Sequence, residues 1–260
     1  MDLGGCLASV LPPSTTYDYS NRPGLGVATP REALLYIVLV CYPAVHPKLP
    51  VGPDEGLHNQ VLPFTMLASR EDITRAWPGG IGYAKIGANY GPSMKVQQQA
   101  IDQGYSQLLW LFGPERFVSE AGGANFFVVL QRDDGQVELV TAPLDDRTIL
   151  AGITRKSIIE LATERLAVDT IDRRLAGADA LTVSVRPITM RELVRAADED
   201  RFLEAFVTGT AYFVTPVRSI SFRGQDLVPK QSTCVRSLRR WLSDIQNGEE
   251  DHEWAHIVAE

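Results

Sequence analysis

The chain has 260 residues, of which 45% are hydrophobic and 22% charged, as is typical of a globular protein with a sizeable core. Its formal net charge of −7 argues against a surface for nucleic acid or for an anionic membrane, because neither attracts an acidic protein. The three cysteines and four histidines are scattered, so we expect neither a disulfide framework nor a bound metal.

The first part of the chain predicts few regular elements. Residues 1–24 are rich in Gly, Ser, Thr and Pro and are expected to form a loosely ordered lead-in. They contain no positive segment followed by an apolar one, so no signal peptide is predicted. The apolar run 33–40 is too short to span a bilayer and predicts a buried strand. A second strand is a candidate within 57–67.

The middle of the chain predicts one helix and several strands. The helix is expected from Pro92 to Gln103, because proline suits a first helical turn and Gly104 is a stop signal. Its expected face consists of Met94, Gln97, Gln98 and Ile101. Strand candidates follow at 107–112, 117–119 and 125–131. The dipeptide Asp134-Gly135 predicts a hairpin between 126–131 and 137–140.

The last part predicts three helices and two strands. One helix is expected at 155–166 with Thr154 as its cap, and another at Thr189, where Thr189 and Glu192 form a capping-box pattern. One face of the helix at 155–166 is expected to be shared by Ile158, Leu161, Ala162 and Arg165. Strands at 211–216 and 220–222 and a helix at 237–245 complete the prediction. The mixture predicts an α/β or α+β fold, and pattern alone leaves both open.

Several ordered blocks carry a resemblance. Residues 75–90 read RAWPGGIGYAKIGANY, and residues 108–127 read LLWLFGPERFVSEAGGANFF. Together with APLDDRTILAGITRKSI at 142–158 and VTGTAYFVTPV at 207–217, they closely resemble the branched-chain-amino-acid aminotransferases, especially the fungal ones. The resemblance implies that residues 25–260 form the large C-terminal domain of a fold type IV pyridoxal-phosphate enzyme. The small N-terminal domain of that fold is expected to be absent or mostly absent.

The resemblance also implies a cofactor site for pyridoxal 5'-phosphate. Lys85 matches the lysine that forms a Schiff base with the cofactor aldehyde and later moves the substrate proton. Glu120 matches the carboxylate that keeps the pyridine nitrogen protonated, and Tyr90 the tyrosine near the phenolic oxygen. The expected phosphate cradle is Ile153, Thr154 and Thr210, since Gly152 opens a helix there.

The same resemblance places the substrate carboxylate near Gly123 and the backbone amide of Ala211. The family usually has a threonine where this chain has Gly123, so a hydroxyl that would help to seat the carboxylate is missing. The substrate is therefore expected to differ from leucine, isoleucine or valine, or to bind less tightly than in the family.

Two functions follow from the resemblance. The first is reversible amino transfer between a branched-chain or other apolar L-amino acid and 2-oxoglutarate. The second is a truncated, catalytically weak relative that binds the cofactor and serves as an interaction partner. Lys85 and Glu120 together favour the enzyme, whereas the expected loss of one domain favours the second function. A homodimer is implied by analogy, with no nucleic-acid or membrane partner. A cytoplasmic location is expected. A mitochondrial location stays open, because the N-terminal part of the family has no expected counterpart in this chain.

Overall fold

The computed structural model describes residues 62–166, 181–230 and 233–256. The predictions for the lead-in at 1–24 and for the strand at 33–40 lie outside these residues. The strands are β1 (Phe64–Ala68), β2 (Gln107–Phe112), β3 (Phe117–Ala121), β4 (Ala124–Gln131), β5 (Val137–Thr141), β6 (Leu181–Val185), β7 (Phe202–Gly209), β8 (Phe213–Phe222) and β9 (Gln225–Leu227). The helices are α1 (Gly87–Asp102), α2 (Ile153–Arg165), α3 (Met190–Asp198) and α4 (Thr233–Gln246).

Six strands form a closed ring in the order β3-β2-β1-β8-β7-β4, which returns to β3 through a β3–β4 pairing. Strand β1 pairs in parallel with β2 and β8, and the other ring pairings are antiparallel. Strands β5 and β6 extend the sheet beyond β4, and β9 pairs with β8. The expected mixed α/β class is confirmed.

Two cores lie on opposite faces of the ring strands, as the alternation along β4 shows. Phe126 and Val128 join a core made by all six ring strands and α3, whereas Phe127 and Val129 face α2 and α4. In the second core the Phe127 and Phe206 rings stack with centroids 4.9 Å apart. Burial of these aromatic and branched side chains fixes the strand register, because a one-residue slip would exchange the two faces.

The strand and hairpin predictions for residues 107–141 are confirmed. Strand β2 coincides with the expected range, and β3 and β4 differ from theirs by one or two residues. Strands β4 and β5 pair as an antiparallel hairpin across Asp134-Gly135, where Gly135 has φ 83°. That conformation is open to glycine without a Cβ clash, which is why the dipeptide is informative.

The prediction for the start of α1 was wrong. The helix begins at Gly87, five residues before Pro92, which lies exposed inside it. The cause is Asn89, whose buried side-chain amide donates to the carbonyl oxygens of Ile81 (2.8 Å) and Ala84 (2.6 Å) and fixes the entering chain. The four residues expected to share a face all lie in the helix, and the two apolar ones are exposed, Met94 to 70% and Ile101 to 48%.

Three further predictions need correction. Helix α2 begins at Ile153, so Thr154 is its second residue rather than its cap. Strand β8 is continuous where two strands were expected, and β6, β7 and β9 were missed. Helix α4 begins at Thr233 rather than 237, because the carboxylate of Glu204 on β7 accepts hydrogen bonds from the N–H groups of Cys234 and Val235, both 2.8 Å. A cap supplied by a distant strand leaves no local sequence signal.

Helix α3 begins as predicted. Thr189 is its N-cap, and the Thr189 hydroxyl accepts a hydrogen bond from the Glu192 N–H at 3.1 Å. The Glu192 side chain does not complete the capping box but pairs with Arg186. Within the described residues, no helix combines the length and apolar character needed to cross a membrane.

Removal of the α3 cap should destabilise the fold measurably. We expect Thr189→Ala to lower the free energy of unfolding by about 1 kcal/mol, because one N–H at the helix start loses its acceptor. Thr189→Ser keeps an acceptor oxygen and should stay close to the wild type. Urea denaturation measures both, and equal stability of the alanine and serine variants would contradict this assignment.

Candidate active site

A tightly packed loop carries Lys85 to the front of α1. At Gly82 an added Cβ would lie 2.4 Å from the Ala76 Cβ and 2.8 Å from the Thr148 carbonyl oxygen, so only glycine fits there. The Asn89 side chain holds the same loop from the helix side. Lys85 therefore follows a fixed segment, yet its own side chain is exposed. Its Nζ lies 5.7 Å from the centre of the Tyr90 ring, close enough for a cation–π contact.

Glu120 lies on β3 and is 4% exposed. Its Oε1 accepts a hydrogen bond from the Leu150 N–H at 2.7 Å, and its Oε2 lies 2.6 Å from Nη2 of Arg75. The same Arg75 nitrogen donates to the Thr148 carbonyl oxygen at 2.8 Å. A carboxylate taken out of water needs such partners, and each Glu120 oxygen retains a further lone pair for another donor.

The electrostatics of the site link four of its side chains, Glu120, Arg75, Lys85 and Tyr90. Burial raises the pKa of the Glu120 carboxyl, and the nearby Arg75, the Leu150 N–H and Lys85 all oppose that rise. Burial, and then the negative charge of Glu120, raise the pKa of Tyr90. Tyr90 is therefore a neutral phenol at neutral pH and can donate a hydrogen bond through its hydroxyl.

The β3–β4 turn brings backbone, rather than side chains, next to Tyr90. Gly122 has φ 57°, and its carbonyl oxygen accepts a hydrogen bond from Nε1 of Trp110 at 2.9 Å. A Cβ added at Gly123 would meet only Cε1 of Tyr90, at 3.8 Å. The turn therefore carries no side chain at Gly123 on the side that faces Tyr90.

The segment that leads into α2 is joined to Glu120 through the backbone of one residue, Leu150. The Leu150 N–H donates to Glu120, and the Leu150 carbonyl oxygen accepts from Nδ2 of Asn125 at 2.8 Å. Asn125 is the β4 residue that pairs with Glu120 in the sheet. At Gly152 a Cβ would lie 2.2 Å from Oδ1 of Asn125, so the helix start can approach β4 closely only because this residue is glycine.

The first turn of α2 presents unsatisfied N–H groups. Its N-cap is Gly152, and among the described residues no side chain caps it. Ile153 is 84% exposed and Thr154 is half-buried, so the turn is open to solvent. An uncapped helix start combines unpaired donors with the positive end of the helix dipole and suits an anion such as a phosphate.

Thr210 and Ala211 lie in the exposed turn between β7 and β8. The turn reaches the site through Gly209, where an added Cβ would lie 3.7 Å from the Cβ of Ala124. The structure thus brings Lys85, Tyr90, Gly123 and Glu120 into one group and connects Glu120 to the start of α2. The described contacts do not include a direct link from Thr210 to that group.

Sequence reasoning missed three residues of this site. Arg75, Asn125 and Leu150 hold Glu120 and the α2 terminus, and none was singled out although each lies in a block that carries the resemblance. Arg75 opens the block RAWPGGIG, where an arginine before an apolar and glycine-rich stretch is the only available signal. Leu150 acts through its backbone, so its side chain gives no signal at all.

Comparison with known proteins identifies the family of this chain. The family described as amino-transferase class IV matches residues 74–220, which is more than half of the chain and includes most of the group described above. The chain belongs to this family. The cytosolic branched-chain-amino-acid aminotransferase of Saccharomyces cerevisiae is 39% identical over 91% of this chain, and the mitochondrial one of Rattus norvegicus is 37% identical over 90%. The chain spans 59% and 54% of the lengths of these two relatives.

Solved class IV structures show the same fold. The branched-chain amino acid aminotransferase from Escherichia coli superposes with a TM-score of 0.60 at 26% identity, over 89% of this chain and 63% of that one. The PLP-form (holo-form) of the enzyme from Thermobaculum terrenum gives 0.52 at 27% identity, over 73% of this chain and 52% of that one. The resemblance seen in the sequence blocks is therefore confirmed.

The close approach at Gly152 generates a stability prediction. We expect Gly152→Ala to lower the free energy of unfolding by about 1–3 kcal/mol, because the new methyl group displaces the Asn125 side chain from Leu150. Gly87→Ala is the matched control, since nothing lies within 4 Å of a Cβ added at that helical glycine. It should be neutral or slightly stabilising. Equal unfolding free energies for the two variants in urea would contradict the close approach.

Proposed function

We propose that this chain is a pyridoxal-phosphate-dependent transaminase that exchanges an amino group reversibly between a branched-chain or other apolar L-amino acid and 2-oxoglutarate. The observation that carries the proposal is the joining of three parts in one site. These are the exposed Lys85, the buried and ion-paired Glu120, and the uncapped start of α2. The family and the names of its members support the reaction class and a branched-chain amino acid, whereas 2-oxoglutarate rests on the resemblance of the sequence blocks.

The residues of the site fit the cofactor. The open first turn of α2 suits its phosphate, through the N–H groups of residues 153 and 154 and the Thr154 hydroxyl, with Thr210 as a further donor. In this proposal the flat ring lies beside the β3–β4 turn, where Gly123 carries no side chain toward Tyr90. Glu120 offers the free lone pairs of a buried carboxylate to a ring nitrogen.

Pyridoxal phosphate, when bound, supplies an aldehyde that reacts with amines and a ring that withdraws electrons from the substrate Cα. Lys85 would provide the amine that binds the aldehyde carbon, and its Nζ, once displaced by the substrate amine, would carry the proton to and from Cα. Glu120 holds a proton on the ring nitrogen by stabilising the cation. Tyr90 donates its phenolic hydrogen toward the ring oxygen. Gly123 and the Ala211 amide face the substrate carboxylate in this proposal.

The alternative is a chain that binds the cofactor without turnover. It predicts the same binding as the enzyme and differs only in a turnover assay with leucine and 2-oxoglutarate. The homodimer remains a prediction. The cytoplasmic location also remains a prediction, since the relatives include both cytosolic and mitochondrial proteins.

Lys85 should be required for attachment of the cofactor. We expect purified protein with added pyridoxal phosphate to show the visible absorbance of a lysine-bound cofactor, and to convert leucine with 2-oxoglutarate. Lys85→Ala should abolish both. Lys95→Ala, an exposed lysine of α1, should retain both. A wild-type spectrum identical to that of free pyridoxal phosphate would refute the proposal, and binding without turnover would favour the alternative.

The start of α2 should recognise the phosphate specifically. We expect Thr154→Val to weaken the affinity for pyridoxal phosphate roughly tenfold, because one hydrogen bond to an anion is lost. The same change should leave the affinity for pyridoxal, which has no phosphate, unaltered. Thr163→Val is the matched control, because that hydroxyl donates to the Ile159 carbonyl oxygen later in the same helix. Equal losses for both ligands in fluorescence titrations would place the phosphate elsewhere.

A further inference from the structure

Arg75 is a buried cation that the proposed reaction does not use. Its side chain is 6% exposed, and its Nη2 lies 2.6 Å from Oε2 of Glu120, whose side chain is 5% exposed. Its Nε has no hydrogen-bond partner among the described residues. A guanidinium in such surroundings is unfavourable unless an anion compensates for the lost water. The partner that does so is the carboxylate proposed to face the cofactor ring.

The geometry fixes Glu120 as well as neutralising it. Arg75 binds Oε2, and the Leu150 N–H binds Oε1, so the carboxylate is held at both oxygens and cannot rotate freely. Arg75 is itself fixed, because the same Nη2 donates to the Thr148 carbonyl oxygen. The two donors come from separate segments of the chain, and together they leave lone pairs in a defined direction.

We infer that Arg75 is a positioning residue that holds Glu120 as an ionised and oriented carboxylate, so that the shared proton resides on the ring nitrogen and not on Glu120. This inference rests on the proposed function and deepens it. A carboxyl group and a pyridine nitrogen that share one proton have two arrangements. In one the carboxyl is neutral, and in the other a carboxylate faces a pyridinium.

The charge of Arg75 decides between these arrangements by distance. Its Nη2 lies 2.6 Å from Oε2 of Glu120, and a ring nitrogen bound to the free lone pairs of Glu120 would be separated from the guanidinium by the carboxylate. The attraction to the carboxylate therefore exceeds the repulsion from the pyridinium, because the interaction of charges falls with separation. A neutral side chain at position 75 would remove this preference, and burial would then favour the neutral carboxyl.

The test measures the protonation of the ring nitrogen directly. Pyridoxal phosphate labelled with 15N in the ring is bound to the wild type and to Arg75→Gln, and the 15N chemical shift is followed against pH. We expect the nitrogen of the wild type to stay protonated at neutral pH. In Arg75→Gln its titration should move down by ~1 pH unit or more, which is the size of effect that a neighbouring charge has on a pKa.

Two further variants keep the experiment decisive. Arg75→Lys retains a buried charge without the planar guanidinium. We expect its ring nitrogen to titrate between those of the wild type and Arg75→Gln. If Arg75→Gln folds poorly, the Arg75→Lys titration is compared with the wild type alone and should lie below it. Arg70→Gln removes an exposed arginine that pairs with Asp72 and should match the wild type. Titrations that are the same in the wild type, Arg75→Lys and Arg75→Gln would overturn the inference.

The same experiment separates the two levels of the account. If the wild type does not bind the labelled cofactor, the proposed function fails and the inference fails with it. If the wild type binds and its ring nitrogen is protonated, but the position 75 variants do not alter that state, only the inference fails. Urea denaturation of the cofactor-free variants gives the purely structural contribution of the ion pair, which by itself would not shift the nitrogen titration.

Discussion

The backbone of Leu150 is the link on which the site depends. Its N–H binds the Glu120 carboxylate on β3, and its carbonyl oxygen binds the Asn125 amide on β4. Because these two strand residues are paired in the sheet, one short segment is held at both ends by the same pair of strands. The segment runs directly into α2, so the position of the helix start is set relative to a buried carboxylate.

The rest of the fold supports this link. The closed ring of six strands gives β3 and β4 fixed positions. The stacked side chains of Phe127 and Phe206 belong to the core that packs β4 and β7 against α2. Glycine at position 152 allows the helix to approach Asn125. A buried carboxylate destabilises a fold unless it is paired, and here its partners are a backbone amide and a guanidinium. The same pairing that makes burial tolerable also leaves the carboxylate oriented.

Local sequence patterns predict much of the fold but little of the site. Strands β2 to β5 follow from apolar runs and from a turn dipeptide, whose information is contained within a few residues. Strand β7 was missed because Glu204 interrupts the apolar pattern of the strand. The hydrogen-bond partners of Glu204 are backbone amides of α4, about thirty residues later in the chain. Lys85 and Glu120 were identified through resemblance alone. The contact of Arg75 with Glu120 joins residues far apart in the chain, and no local pattern encodes it.

The most direct test of the account is a crystal structure of this protein with pyridoxal phosphate. We expect Glu120 to lie within hydrogen-bonding distance of the ring nitrogen while the phosphate contacts the N–H groups of residues 153 and 154. We also expect the hydrogen bonds of Leu150 with Glu120 and Asn125 to be retained. A phosphate bound away from the start of α2, or a Glu120 side chain turned away from the ring, would contradict the account.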